Sequence, residues 1–401
     1  MDWAYLLEWL NLIGRWSHMI VGIAWIGASF YFIWLDDALL APKKAADEEK
    51  GVGGEVWSIH GGGFYHAQKY KVAPAVLPET LHWFKWEAYT TWISGMFLLG
   101  LVYYLGAEVA LIDPQVNDLS QWQAIGIGLA FIVGGWIVYD LLCRSPIGND
   151  AMVLAGVLAI LVAAMAWGLC QLFSGRGAFI HFGAVLGTIM VANVFFVIIP
   201  GQSELVKAKQ EGRMPDAKYG AMGKQRSVHN TFFTLPVLFA MISNHYASAT
   251  GHHWNWLALI GLTVSGGLIR LWFVQRHTHQ GNPLVLGAGL VVLVATALAL
   301  APRSSVDEPA LAAGDVNFPQ VAAIIGQRCT VCHAVKPTRE GFVAPPKGVM
   351  LETPGQMRAY APMILQQVFH TKAMPPGNIT ELTPQERDAI ARWVKLGAPI
   401  R

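Results

Sequence analysis

Long apolar segments separated by short polar loops fill the first three quarters of this chain. A helix that crosses the hydrocarbon core of a bilayer needs roughly 20 consecutive apolar residues, and eight segments approach that length. The last of them, 283–301, contains no charged residue. The pattern predicts a polytopic bundle of about eight transmembrane helices surrounded by lipid. The segments are 10–35, 87–106, 122–142, 151–173, 178–200, 231–249, 254–275 and 283–301.

The composition changes after the last apolar segment. A stretch containing proline and alanine, 303–316, is followed by residues 317–401, which have the composition of a soluble domain. We therefore predict an all-α chain with a transmembrane domain over 1–302, a linker over 303–316 and a soluble domain over 317–401. The formal net charge of +2 gives no indication of nucleic-acid binding.

Lysine and arginine are concentrated in the loops on one side of the predicted bundle. Loop 36–86 carries six lysines and loop 201–228 carries six basic residues, whereas 107–121 and 250–253 carry none. Short cytoplasmic loops are enriched in these residues. The distribution predicts that the N-terminus and the C-terminal domain lie outside the cytoplasm; for a bacterial inner-membrane protein, which we expect this to be, that side is the periplasm.

The C-terminal domain contains the stretch "IIGQRCTVCHAVK", in which Cys329, Cys332 and His333 form a Cys-x-x-Cys-His motif. This motif attaches c-type haem: the thiols add to the vinyl groups and the histidine is an axial ligand. A structural zinc site would need four ligands, and the other two cysteines, Cys143 and Cys170, lie in predicted spans. A thioredoxin-like dithiol would need a βαβ setting, and the sequence of the C-terminal domain does not predict one. The motif therefore predicts covalent haem c.

A second axial ligand is expected further along the chain. Methionine in this position raises the reduction potential of an electron carrier. Met374 precedes two prolines in "TKAMPPGN", and their fixed φ angles favour a rigid loop. The amphipathic segment after it begins with Thr383 as N-cap. Helix, haem motif, Met-Pro loop and terminal helix together predict a class I cytochrome c domain.

Three histidines lie toward the predicted periplasmic ends of spans: His18, His181 and His245. Two of them are candidate ligands of a b-type haem, with Arg15 beside His18 as a partner for a haem propionate. Each can instead hydrogen-bond a neighbouring helix. Ionisable groups inside a membrane are costly and usually functional.

Polar side chains also collect near the predicted cytoplasmic ends of the spans. Amides, hydroxyls and imidazoles can recognise a planar polar substrate, and an arginine can pair with an anion. For Arg270, extension to the membrane interface is an equal alternative. The catalytic candidates are His82, Glu87, His229, Asn230, Thr231 and Arg270.

Several strings of the sequence resemble one known family. "WSHMIVGIAWIGASFYFIWLD", "GGGFYHAQKY", "HWFKWEAYTTW" and "HNTFFTLPVLFAMISNHY", followed by "CTVCH" and "AMPPGN", are similar to membrane-bound urate oxidases (urate hydroxylases) that are fused to a cytochrome c. The resemblance covers essentially the whole chain. It implies oxidation of urate to 5-hydroxyisourate, with electrons passed through haem to a soluble or membrane cytochrome c or a terminal oxidase.

The resemblance also raises the question of how electrons would cross the membrane. The hydrocarbon core is about 30 Å thick, so a cytoplasmic urate site would need one or two b-type haems between it and haem c. A periplasmic urate site would need none. The alternatives to an enzyme are a non-catalytic, membrane-anchored electron-transfer subunit and a haem-pathway oxidase or transporter with a fused cytochrome.

Replacing both Cys329 and Cys332 by alanine is expected to abolish covalent haem, because no other thiol lies in this domain. The measurement is haem staining of the denatured chain on a gel, with Cys143→Ala as a control that should keep the stain. Stain remaining in the double variant would contradict the assignment.

Overall fold

The computed structural model describes residues 3–278, 281–301, 316–339, 342 and 344–400. Each of the eight predicted spans coincides with helical structure. Helix α2 continues as a π-helix over Leu99–Tyr104, and α5 continues through Val194–Ile198 into Ile199–Gln210. The helices are α1 (Trp3–Asp37), α2 (Trp86–Leu98), α3 (Gln121–Arg144), α4 (Ala151–Leu172), α5 (Gly175–Asn193), α6 (Ala217–Ile242), α7 (Asn255–His277) and α8 (Pro283–Ala299).

Five of these helices are long and apolar enough to cross a membrane: α1, α3, α4, α5 with its continuation, and α7. Helix α8 is apolar but has 17 residues, and the first half of α6 is polar. On α4, Met152 is 82% exposed and Ile160 is 70% exposed. Apolar surface of this kind is costly in water and fits a lipid environment.

Helix α5 lies at the centre of the bundle and contacts α2, α3, α4 and α6. Its Phe179 and Phe182 are completely buried. A Cβ atom at Gly183 would lie 2.6 Å from the side chain of Ala240 on α6. Small residues allow this close approach of two helices, as is common in membrane bundles.

Loop 36–86 contains a β-hairpin, so the prediction of an all-helical chain was wrong in this segment. Strands β1 (Val52–His60) and β2 (Gly63–Tyr70) pair antiparallel. The turn residues Gly61 and Gly62 have φ angles of +56° and +82°, which a two-residue hairpin turn of this type requires. These glycines therefore have a structural role in the turn.

The hairpin is attached to the C-terminal end of α1. The backbone N–H of Leu40 donates to the carbonyl of Glu55 at 2.9 Å, and Lys69 forms an ion pair with Asp36. The ring of His66 bonds the Glu55 carboxylate at 2.9 Å. The lysine-rich loop is thus an ordered structure at one end of the bundle.

The C-terminal residues form a small helical unit with its own core. Trp393, Ile325 and Ile390 are completely buried in it. Thr383 caps the last helix in a capping box with Glu386, which confirms the predicted helix start. The predicted linker lies, except for residue 316, outside the described residues. The helices are α9 (Phe318–Arg328), α10 (Pro354–Ala359), α11 (Ala361–Leu365), which continues as a π-helix over Gln366–His370, and α12 (Pro384–Lys395).

The C-terminal unit packs against the bundle through close contacts at two glycines. A Cβ atom at Gly251 would lie 2.5 Å from the carbonyl oxygen of Thr371. One at Gly377 would lie 3.1 Å from the carbonyl oxygens of both Glu108 and Ile112, and Gly377 has a φ of +55°. The segment 371–377, which contains Met374, is therefore held at both ends against the loops that carry no lysine or arginine.

Antiparallel packing of α1 and α2 puts the hairpin and the C-terminal unit at opposite ends of the bundle. Gly14 faces Phe97, His18 faces Ser94, and Phe32 contacts Phe84 with ring centroids 4.7 Å apart. Loop 107–112, which follows α2, is consequently at the end away from residues 52–70.

Candidate functional site

The Cys-x-x-Cys-His segment forms a tight turn directly after α9. The backbone N–H groups of Cys332 and His333 both donate to the carbonyl of Cys329, at 3.1 and 2.9 Å. The Nδ1 of His333 lies 2.9 Å from the carbonyl oxygen of Val349. Because a carbonyl only accepts, Nδ1 carries the proton and Nε2 keeps its lone pair, as in metal-ligating histidines. The residues fit an axial ligand role.

The thiols of this segment differ from those of redox dithiols. Burial is the main cause that raises the pKa of Cys329, to about 12, with a further contribution from the neighbouring Cys332. Burial also raises the pKa of Cys332. Reactive dithiols of the thioredoxin type have lowered pKa values, and these two thiols do not share that property.

Met374 lies half-buried at the edge of the C-terminal core. The other methionines of this unit, which are alternative ligands, are Met350, Met357 and Met363. Met350 is half-buried, Met357 is 4% exposed within the core, and Met363 is 50% exposed. The N–H of Met374 donates to the carbonyl of Gln367 at 3.0 Å. Met374 is thus the methionine that is both held by the backbone and at the core surface.

Arg387, which the sequence reading did not single out, holds the Met374 loop in place. It is 6% exposed, and its Nη1 donates to the carbonyls of Val368 and Met374 at 2.6 and 2.8 Å. Its Nη2 donates to the side chain of Asn378 at 2.9 Å. The sequence did contain a signal for its burial: Arg387 lies on the apolar face of an amphipathic helix, three residues before Ile390.

In the bundle, a buried polar network joins α3, α5 and α6. The hydroxyl of Tyr139 lies 2.7 Å from Nδ1 of His229. Asn193 donates from Nδ2 to Tyr139 at 3.0 Å and to Asn230 at 2.8 Å. Because the Tyr139 oxygen accepts from Asn193, its proton is directed to His229. The structure thus brings together two of the catalytic candidates, His229 and Asn230, with two residues that the sequence reading missed.

A buried ion pair extends this network. Arg226 is 1% exposed, and it donates to Asp140 at 2.8 Å and to Asn193 at 3.3 Å. Its guanidinium also lies 5.0 Å from the centre of the Tyr139 ring. The second carboxylate oxygen of Asp140 accepts from the exposed Arg144. Every charged group of the network has a hydrogen-bonded partner.

The remaining catalytic candidates do not join this network by any hydrogen bond or ring contact in the described part of the chain. The Thr231 hydroxyl donates to the Ser227 carbonyl at 3.2 Å. His82 is exposed. Arg270 lies 3.9 Å from the centre of the Phe30 ring. Among the described residues, the structure therefore shows no direct hydrogen bond or ring contact between this network and Thr231, His82, Glu87 or Arg270, and their catalytic role stays a prediction.

Two of these candidates leave buried polar atoms without a described partner. They are Oε2 of Glu87 and the Nε and Nη2 atoms of Arg270. Such groups are expensive unless a ligand or water satisfies them.

The three histidines proposed as haem b ligands do not face one another. His18 on α1 bonds Ser94 on α2 at 2.9 Å. His181 is completely buried: its Nδ1 donates to the Gly177 carbonyl at 2.9 Å, and its Nε2 lies 3.2 Å from the hydroxyl of Tyr104.

Space and exposure also argue against this haem. Even a Cβ atom at Gly128 would be 2.5 Å from Nε2 of His181, which leaves no room for iron there. His245 is exposed beyond the end of α6, and Arg15 is exposed and bonds Asn11. Both ring nitrogens of His181 are engaged, so it is not free to bind iron in this arrangement; a b-type haem held by the other histidines stays a prediction.

A family comparison covers the bundle with its loops. The model of the urate oxidase N-terminal family matches residues 4–301. The chain belongs to this family. No curated protein and no solved structure matched the chain.

The match ends where the described bundle ends, so the C-terminal unit lies outside the urate oxidase N-terminal region. The family makes the chain a urate-related oxidoreductase.

Asp140→Asn is expected to destabilise this urate oxidase relative by about 3–5 kcal/mol, because it leaves the buried Arg226 charge unpaired. The matched control is Arg144→Ala, which removes the exposed partner of the same carboxylate and should cost at most about 1 kcal/mol. Thermal denaturation of the detergent-solubilised protein measures both. Equal shifts would show that the buried pair has no special role.

Arg387→Gln is expected to loosen the Met374 loop, because the carbonyls of Val368 and Met374 would lose a charged donor. Hydrogen–deuterium exchange of a peptide spanning 368–378 should become faster in this variant. Arg358→Gln, an exposed change on α10, should leave the same peptide unchanged. Unaltered exchange in Arg387→Gln would contradict the positioning role.

Proposed function

We propose that this protein oxidises urate to 5-hydroxyisourate and passes the electrons to haem c bound by its C-terminal unit. One observation supports the proposal above all: the loop that contains Met374 is in direct backbone contact with the bundle, and the bundle belongs to the urate oxidase N-terminal family. An electron carrier that used the bundle only as a membrane anchor would not need such close backbone contacts with it. The electrons continue to a soluble or membrane cytochrome c or a terminal oxidase.

The cofactor assignment follows from the residues of the C-terminal unit. Cys329 and Cys332 would form the thioether bonds, and His333 and Met374 would be the axial ligands. Haem c, when bound, would supply a one-electron acceptor. The cytochrome c fold itself is part of the proposal. A thioether ligand favours the reduced iron, which suits acceptance of electrons from an organic substrate.

The proposed reaction is balanced without dioxygen. Urate and one water give 5-hydroxyisourate, two protons and two electrons, and the electrons leave one at a time. The chain's own residues must bind the urate anion, hold water at the carbon that becomes hydroxylated, and accept the protons. The bundle provides imidazoles for proton acceptance, and a haem b held by His18, His181 or His245 is not part of the proposal.

The proposed location is the bacterial inner membrane, with the N-terminus and the C-terminal unit in the periplasm. Two observations support it. The lysine-rich hairpin and the C-terminal unit lie at opposite ends of the bundle, and basic loops favour the cytoplasmic side. Covalent haem attachment outside the cytoplasm agrees with this orientation.

A second candidate function is a non-catalytic electron-transfer subunit. It is favoured by one observation: the side chains around Tyr139 and His229 mostly bond one another, with Asn193, Asn230 and Arg226 as partners, although Nε of Arg226 has no partner among the described residues. That is the arrangement expected of a purely structural core. In that case a partner dehydrogenase would supply the electrons.

Purified full-length protein with a soluble cytochrome c as acceptor is expected to consume urate and to reduce two acceptor molecules per urate, without peroxide. Ultraviolet absorbance of urate and visible absorbance of the acceptor measure both quantities. The Cys329→Ala, Cys332→Ala double variant should bind no haem and lose this activity. Absence of turnover in the native, haem-loaded protein would favour the electron-transfer subunit, and stoichiometric peroxide would mean that dioxygen accepts the electrons.

A further inference from the structure

A cavity of about 360 Å³ lies between the bundle and the C-terminal unit. Its walls come from the turn before α7, from the end of α8 and from the segment 366–372. This volume is at the lower end of the range for small-molecule sites. The cavity therefore has room for a small ligand and is formed only when both parts of the chain are in place.

Flat aromatic rings form one wall of the cavity. The imidazoles of His252 and His253 are stacked with centroids 4.3 Å apart and an angle of 28°. The ring of Trp254 lies 4.7 Å from that of His253. Such surfaces favour a planar, aromatic ligand.

The opposite wall supplies a cation and hydrogen-bonding groups. Lys372, His370 and Gln366 line it. Among the lining residues that the structure describes, none carries a carboxylate. A site with an ammonium group, imidazoles and an amide, and without negative charge, is complementary to an anion.

The backbone around Lys372 is held in an uncommon conformation. Its φ of +49° lies in the left-handed region, which costs free energy for a residue with a side chain and is concentrated at functional sites. The neighbouring Thr371 is buried, and its carbonyl makes the close approach to Gly251. The contacts of the interface therefore hold the backbone of this lysine in place.

We propose that this interdomain cavity binds a planar, aromatic purine anion, and that urate is oxidised there. The inference rests on the proposed function and assigns its substrate site. Lys372 would pair with the anion, the stacked rings of His252 and His253 would contact its flat face, and the imidazoles of His253 and His370 would accept the two protons.

This location removes the need for a redox centre inside the bilayer. Lys372 precedes Met374 by two residues, so at most about 7 Å of backbone separates their Cα atoms. Urate bound by Lys372 would thus be held by the same loop as Met374, the proposed axial ligand of haem c. The two electrons would leave one at a time to the ferric haem and then to the external cytochrome, while water supplies the added hydroxyl group. A site at the Tyr139–His229 network would instead require an additional carrier.

Binding is best measured separately from turnover. Full-length, haem-loaded protein in detergent is first reduced under anaerobic conditions, so that no oxidant remains and urate is not consumed. Equilibrium dialysis with urate then gives the dissociation constant. Lys372→Gln and His253→Gln are each expected to weaken binding about tenfold or more, since hydrogen bonds to charged groups contribute about 1.5–3 kcal/mol.

Two further variants make the result decisive. Lys336→Gln removes one positive charge from the same domain, outside the cavity lining, and should bind urate like the native protein. His229→Gln tests the bundle network and should also retain binding. Normal haem staining and a normal visible spectrum establish that each variant is folded.

The outcomes separate this inference from the proposed function. If Lys372→Gln and His253→Gln bind urate normally and turn it over, the cavity assignment is overturned while urate oxidation stands. Loss of binding in His229→Gln alone would move the site to the bundle. If native protein binds urate in the cavity but never oxidises it, the proposed function fails and the binding site remains.

Discussion

The close fit between segment 371–377 and the end of the bundle is the constraint on which the functional architecture depends. At Gly251, a side chain would collide with the carbonyl oxygen of Thr371, 2.5 Å away. At Gly377, it would lie in tight contact, 3.1 Å from two carbonyl oxygens. Backbone contacts of this kind tolerate little displacement, because neither partner can change its rotamer. The loop between them carries Met374 and Lys372, so one interface positions both a candidate haem ligand and a candidate anion-binding residue.

Arg387 completes this arrangement from inside the C-terminal unit. One buried guanidinium donates to two carbonyls and one side-chain oxygen. Its planar donor geometry can satisfy several acceptors at once, which lysine cannot reproduce. The loop is thus held by the bundle on one side and by α12 on the other. A loop with such support on both sides has little freedom to move, as a metal-binding loop would require.

The bundle has a separate polar centre that serves a different physical purpose. Arg226 is almost fully buried and would be very costly without Asp140. Asn193 joins this pair to Tyr139 and Asn230, and hence to three helices. These hydrogen bonds between side chains define how α3, α5 and α6 pack. Within this network, Nδ1 of His229 is engaged by the hydroxyl of Tyr139.

Local patterns were sufficient to predict part of the structure. Apolar length predicted where the helices lie, and the Thr383 cap predicted the start of α12, because these features depend on neighbours within a few residues. The hairpin was not predicted, although two consecutive glycines in "GGGFYHAQKY" are a hairpin-turn signal. The extension of α6 into polar sequence was missed because propensity was judged from hydrophobicity.

Contacts between distant residues could not be predicted in this way. Tyr139 and His229 are 90 residues apart, and nothing in either local sequence indicates the other. His181 looked like a free ligand but is satisfied by Gly177 and Tyr104. The sequence by itself determined the apolar helices, the basic loops and the Cys-x-x-Cys-His motif. Only the tertiary structure decided which polar groups meet, because that depends on helix packing and on the interface around Met374.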